Sequence, residues 1–284
     1  MDYPEIRVFK NNPGLKGFAR LIPNVKYTEA GGGQYMTIIM PWGEPAGRKL
    51  PLVVFVQGSA WTFPDINYEI PQLSQLARQG YVVATIQHRS AVAGNPWPAY
   101  LIDTKCAIRF LRANAAEYGI DTERVCIYGT SSGGNTSLLV GVTGDDERFR
   151  TEEYADQSDA VKLVVECFGP ANLPKMIDLD PEKASEGNKA LMYGLAGDIT
   201  PEEVIVRMSP VNYLEEGKAY PPFLIVQGDA DFVVPYDQSL EMFHRLIDCG
   251  VDAQMFRVAG AEHEGNFWSE ELVEAIFGYI KERM

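Results

Sequence analysis

The chain has 284 residues and a formal net charge of −14 at neutral pH, a length that suits one large α/β domain better than two small ones. Hydrophobic residues make up 46% and charged residues 23% of it, as in soluble globular proteins, and no apolar run is long enough to span a bilayer. The excess negative charge, with Lys and Arg nowhere concentrated, repels phosphate backbones and anionic lipid surfaces, so neither nucleic acid nor a membrane is expected as a partner.

Residues 1–7 lack the basic start and apolar block of a secretory signal, which fits a cytoplasmic protein, the reading adopted, or a mature form already trimmed. Segments 24–29 and 34–40 carry β-formers on either side of Gly31-Gly32-Gly33 and predict an antiparallel hairpin at one sheet edge. Strand-length runs rich in β-branched residues follow at 52–56, 81–86, 125–128, 161–165 and 223–226, with a further strand at 254–258. They mostly lack polar alternation, as in a parallel sheet covered on both faces. Between them, helical patterns fall at 69–79, 98–118, 133–143, 236–248 and 268–281. The second of these carries Ile102, Cys106, Ile108, Phe110 and Leu111 near helical spacing and stops at Gly119. The strand-helix order predicts a mostly parallel, doubly wound α/β sheet.

Two stretches break that rhythm. The acidic segment 144–159 lacks the glycine and ligand periodicity of a calcium loop and is read as a solvated loop. Residues 174–222 hold several prolines and short helical pieces, and a long excursion between two core strands is read as a small cap over the site rather than as surface packing. The four cysteines, Cys106, Cys126, Cys167 and Cys249, form no C-x-x-C pair and sit in apolar runs. Buried free thiols in a reducing compartment are expected. No His, Cys, Asp or Glu spacing suits zinc, and no glycine loop suits a phosphate or dinucleotide, so no metal or cofactor is expected.

Chemistry is concentrated at Gly129-Thr130-Ser131-Ser132-Gly133-Gly134, which follows the run Val125-Cys126-Ile127-Tyr128. Only the frame Gly129, Ser131, Gly133 satisfies G-x-S-x-G, the strand-to-helix elbow that exposes a strained serine. Ser131 is the candidate nucleophile. A serine hydroxyl needs a base, and the three histidines are His88, His244 and His263. His263 lies in a glycine-bounded loop after the last strand, at the sheet edge where α/β sites gather; His244 falls inside a helical stretch, and His88 precedes the nucleophile in sequence. His263 is the expected base. The segment Gln227-Gly228-Asp229-Ala230-Asp231 offers two acids. Asp231 lies further into the loop and is the expected partner of His263, with Asp229 bracing the turn. The order Ser131, Asp231, His263 is that of an α/β hydrolase. Backbone N–H groups of Ser132 and of the loop Gln57-Gly58-Ser59-Ala60-Trp61, at Ser59 and Ala60, are the expected oxyanion donors.

In these motifs the chain resembles the carboxylesterase branch of the α/β hydrolases that includes hormone-sensitive-lipase-like and feruloyl-esterase-like enzymes, from about residue 24 to the C-terminus. Those enzymes typically carry H-G-G-G-W where this chain has Gln57-Gly58-Ser59-Ala60-Trp61, a departure at three positions. The resemblance implies the α/β-hydrolase fold and two-step ester hydrolysis through an acyl-enzyme on Ser131. Trp61, Trp97, His88 and Phe267 are read as lining the substrate cleft. A small-molecule ester of a short or aromatic acid is the expected substrate, and the sequence leaves the oligomeric state open. Two rival readings stand beside it: amide or peptide hydrolysis on the same triad, and a catalytically silent binding protein.

Overall fold

The computed structural model describes residues 6–43, 47–179 and 185–284; part of the expected cap, 180–184, lies outside the described residues. Eight strands form one sheet in the order β1-β2-β4-β3-β5-β6-β7-β8. The expected hairpin stands at its edge: β1 (Ala19–Thr28) pairs antiparallel with β2 (Gln34–Pro41), which pairs antiparallel with β4 (Val82–Ile86). From β4 onward, β3 (Leu50–Val56), β5 (Ile120–Thr130), β6 (Leu163–Cys167), β7 (Phe223–Gly228) and β8 (Ala253–Val258) are parallel.

Alternation along the central strands divides the core into two layers. On β3, Val54 and Val56 face one layer and Val53 and Phe55 the other. The first layer is covered by α2 (Ala99–Ala113), α4 (Ser132–Val142) and α7 (Tyr236–Asp248), through Leu101, Ile108, Leu138 and Met242 among others. The second is covered by α1 (Ile70–Arg78) and α8 (Glu270–Arg283), through Leu73, Leu76, Ile276 and Ile280. The architecture is therefore the expected doubly wound α/β sheet. All eleven residues of α4 are buried, so this helix lacks a polar stripe and serves as the central support of the site.

The predicted helix 98–118 is interrupted: α3 (Ala115–Tyr118) starts after Asn114, whose side-chain amide donates to the Phe110 carbonyl at 2.8 Å and competes with helix continuation. Gly119 ends it in the left-handed conformation, as expected. The segment 144–159 is mostly exposed or half-buried, as expected of a solvated loop, and is anchored by the buried Phe149 and Asp159. Asp159 is 1% exposed and its carboxylate meets the buried Lys105 and Arg109 at 2.6 and 3.0 Å. All four cysteines are free; three are buried, and Cys249 is half-buried because it closes the exposed end of α7. Within 174–222, α5 (Glu186–Ala196) and α6 (Pro201–Arg207) pack on the first core layer through Leu195 and Val204. Among the described residues no helix is long and apolar enough to cross a membrane.

Candidate active site

Ser131 sits between β5 and α4 at φ 52°, ψ −123°, a backbone region costly for any residue with a Cβ. Two close approaches hold the elbow. A Cβ on Gly129 would stand 2.2 Å from the Gly133 carbonyl oxygen, and one on Gly133 would stand 2.0 Å from that of Val56. Only glycine fits at either place, so the two outer positions of the motif are dictated by packing. The Ser131 N–H donates to the Cys167 carbonyl at 2.9 Å, tying the elbow to the end of β6.

The three residues expected to act together converge. His263 Nε2 lies 3.0 Å from Ser131 Oγ, and His263 Nδ1 lies 2.8 Å from Asp231 Oδ2. Nδ1 faces a carboxylate and so carries the imidazole proton, which leaves the Nε2 lone pair for the Ser131 hydroxyl. Burial pushes the Asp231 carboxyl up, but hydrogen bonds from His263 and from the Val234 and Val233 amides outweigh it and hold the group below the usual carboxylate range. Asp231 therefore stays ionised at neutral pH. Asp229 braces the turn, accepting from the Gly260 amide at 2.6 Å.

The loop Gln57–Trp61 departs from the expected row of free donors. The Ser59 N–H donates to the Ser132 side-chain Oγ at 2.9 Å, and the Gly58 N–H donates to Thr130 Oγ1 at 3.0 Å. The Ala60 N–H and that of Ser132, in the first turn of α4 where helix amides lack intrahelical partners, belong to residues lining the cleft beside Ser131. Ala60 and Trp61 both have positive φ, 50° and 55°. The loop thus holds the path that glycines would follow without strain.

The cleft over Ser131 has a volume of about 510 Å³ and is lined by Trp61, Met176, Ile177, Leu191, Met192 and Val233 among others. Most of these wall residues belong to the region 174–222, where short apolar pieces carry no period that marks them as lining. Of the four aromatic or imidazole residues expected there, only Trp61 lines it. Trp97 is buried against Tyr100 and Phe149, at ring separations of 5.5 and 5.8 Å. Phe267 is fully buried against Phe168, 4.6 Å between centroids. Both rings complete the core instead of the cleft. His88 is buried, its Nδ1 bonded to the Arg89 carbonyl at 3.0 Å, and it lines a separate hollow with Phe63 and Ser90.

Sequence reasoning missed two residues of the site. Phe168, at φ 43°, presses its ring edge-on to His263 at 4.7 Å. Gln227, the penultimate residue of β7, donates from Nε2 to Asp231 Oδ2 at 3.0 Å. Among the described residues no group of three or more His, Cys, Asp or Glu side chains stands together as a metal cluster would.

The BD-FAE family model matches residues 36–246. The chain belongs to the BD-FAE family. That match takes in the elbow, the loop Gln57–Trp61 and Asp231. Esterase LipC of Mycobacterium tuberculosis (strain ATCC 25618 / H37Rv) is 29% identical over 207 residues, 70% of this chain and 49% of LipC. Isoprenylcysteine alpha-carbonyl methylesterase ICME of Arabidopsis thaliana is 25% identical over 229 residues, 78% of this chain and 52% of ICME. This BD-FAE chain spans about half the length of such curated relatives. Among solved structures, a truncated carbohydrate esterase from gut microbiota is 27% identical with a TM-score of 0.77, covering 96% of this chain and 99% of that one. The butyrate-bound esterase Est2 of Thermogutta terrifontis, 21% identical with a TM-score of 0.76 over 95% of both chains, shares the fold. The fold is the α/β-hydrolase fold.

Proposed function

We propose that this BD-FAE protein is a serine carboxylesterase acting on small-molecule esters of short or aromatic acids through an acyl-enzyme on Ser131. The observation that carries the reading is the unbroken contact series from Ser131 Oγ through His263 to Asp231, at 3.0 and 2.8 Å. His263 Nε2 takes the hydroxyl proton as Ser131 attacks the ester carbonyl, and Asp231 stabilises the imidazolium. The Ala60 and Ser132 amides, joined by Ser59 once its N–H is released, hold the oxyanion. The imidazolium then protonates the departing alcohol. Water, activated by the same base, breaks the acyl bond and restores Ser131.

The relatives named as esterases support ester over amide hydrolysis, and the carbohydrate esterase with near-complete overlap brings acetylated and hydroxycinnamoylated sugars into the set of substrates to try. A cleft of about 510 Å³ walled by Trp61 and the cap suits a short chain or one ring. Four unpaired thiols agree with a reducing, cytoplasmic setting.

The deciding experiment is a panel of p-nitrophenyl esters of rising acyl length set beside aminopeptide anilides, with stoichiometric labelling by a fluorophosphonate. Turnover that peaks at short or aromatic acyl groups, with labelling lost in Ser131→Ala, is expected. Faster anilide cleavage moves the assignment to a peptidase. A folded protein that neither labels nor turns over ester is a binding protein.

A further inference from the structure

Behind the triad acid lies a second line of polar groups, buried deeper than the triad and carried by β6, β7 and α7. Gln227 is fully buried, and every hydrogen-bonding position of its amide that the contacts reveal is committed. Nε2 donates to Asp231 Oδ2 and to the Val234 carbonyl, both at 3.0 Å, while Oε1 accepts from Ser239 Oγ at 2.9 Å. Two acceptors on one side and a hydroxyl on the other fix the amide orientation. Ser239, also fully buried, stands 3.4 Å from Glu166 Oε1, and Glu166 Oε2 accepts the Gly169 N–H at 2.7 Å.

The polarity of this chain is consistent along its length. The Ser239 hydroxyl lies nearer to Gln227 Oε1, at 2.9 Å, than to Glu166 Oε1, at 3.4 Å, and burial pushes the Glu166 carboxyl up to about 8, so at neutral pH a mainly neutral acid makes only a weak claim on the Ser239 proton. The Ser239 proton is then free to serve Gln227 Oε1, and the Gln227 amide protons point at Asp231. Asp231 Oδ2 receives two donors, Gln227 Nε2 from below and His263 Nδ1 from above. A surface glutamine would not do this: in water it would exchange partners, whereas here the further acceptor, the Gly228 carbonyl, stands at a longer 3.4 Å and an unmade bond to a buried carboxylate is costly.

We propose that Gln227 is a positioning residue of this site, holding the Asp231 carboxylate ionised and aimed at His263 Nδ1 and thereby setting how readily His263 accepts the Ser131 proton. The inference rests on the triad reading above. A carboxylate that loses one of its two donors at Oδ2 is more basic, draws the His263 proton more strongly and keeps the imidazolium to higher pH. It is also free to rotate away from Nδ1. The first effect removes active base at low pH; the second lowers the rate at every pH.

The test compares wild type, Gln227→Met, which keeps the volume and deletes the donor, and Ser239→Ala, which releases Gln227 Oε1 and leaves Nε2 in place. Two readouts are taken: the pH profile of kcat and KM on p-nitrophenyl butyrate, and the imidazole titration followed by NMR with labelled histidine. Only three histidines need be assigned, using His263→Gln. Gln227→Met is expected to raise the His263 midpoint by roughly 0.5–1 pH unit and to lower kcat about tenfold with KM little changed. Ser239→Ala should move the midpoint in the same direction by less. A His263 midpoint unmoved in the folded variants, or a loss carried by KM alone, overturns the assignment. Where Gln227→Met fails to fold, Ser239→Ala decides it. Wild type without ester turnover would sink the esterase reading alone, because the NMR titration needs no substrate and still judges the positioning role.

Discussion

The Ser59 amide donates to the Ser132 hydroxyl at 2.9 Å, so in the resting protein one of the expected oxyanion donors is already engaged by the side chain that follows Ser131. A carbonyl oxygen turning into an oxyanion must displace that hydroxyl before it can use the Ser59 N–H. Ser132→Ala keeps the Ser132 backbone amide and removes the competitor. A neutral hydrogen bond of this kind is worth about 0.5–1.5 kcal/mol net, so the variant is expected to raise kcat/KM roughly 2- to 10-fold. Progress curves on p-nitrophenyl butyrate measure it. A fall of similar size would instead make the Ser132 hydroxyl a donor to the oxyanion.

The same loop stores strain. Ala60 has φ 50° and its neighbour Trp61 φ 55°, and a residue with a Cβ is held there at a cost of about 1 kcal/mol or more. Ala60→Gly relieves the clash but gives the unfolded chain more freedom. The balance is expected to favour the variant by about 0.5 kcal/mol, a rise in Tm of roughly 1–2 °C in a protein of this size. Thermal unfolding by circular dichroism reads this out; a lower Tm would show that the loop path does not strain Ala60.

Much of this architecture is legible in the chain, and the illegible part has a common physical character. Apolar runs such as 52–56 and 223–226 announce buried parallel strands because burial on both faces leaves no alternation to obscure them. The meeting of Ser131, Asp231 and His263 is readable because each follows a strand and their order is constrained by the fold. Trp97 and Phe267 mislead because an aromatic side chain has the same letter whether it walls a cleft or fills a core. Phe168 and Gln227 lie in or beside strand-like runs where nothing distinguishes a packing residue from one that touches His263 or Asp231. That Ser59 spends its N–H on Ser132 depends on a loop meeting the first turn of α4 across 73 positions of sequence, and no local pattern carries it.

Two buried cations, Lys105 and Arg109, share the single Asp159 carboxylate, at 2.6 and 3.0 Å. Burial pulls the Lys105 ammonium down, with Asp159 opposing that shift, and in Asp159→Ala it can lose its proton. Arg109 cannot, and stays charged without its carboxylate. The variant is expected to lose about 3–5 kcal/mol of stability, measured by urea unfolding, while its kcat under native conditions stays near that of wild type because the cluster lies outside the cleft. A loss below 1 kcal/mol would mean that water reaches the pair.

Glu166 makes stability depend on pH with a sign opposite to that of a salt-bridged carboxylate. Its carboxyl is pushed up to about 8 by burial, with the Gly169 amide and Ser239 opposing only part of the shift. In the unfolded chain an ordinary glutamate titrates near 4.3. Between those values the native state binds the extra proton, so stability falls as pH rises from about 4.5 toward 8 and levels off above. Glu69 adds to the same slope, since burial and the neighbouring Glu264 carboxylate raise it to about 7. Glu166→Gln holds the same shape with no proton to lose. It is expected to be the more stable protein at pH 8, by on the order of 5 kcal/mol, and to match wild type more closely near pH 5, where both carry a neutral side chain. Urea midpoints taken from pH 5 to pH 9 test this, and parallel curves for the two proteins would place the ionised Glu166 in contact with solvent.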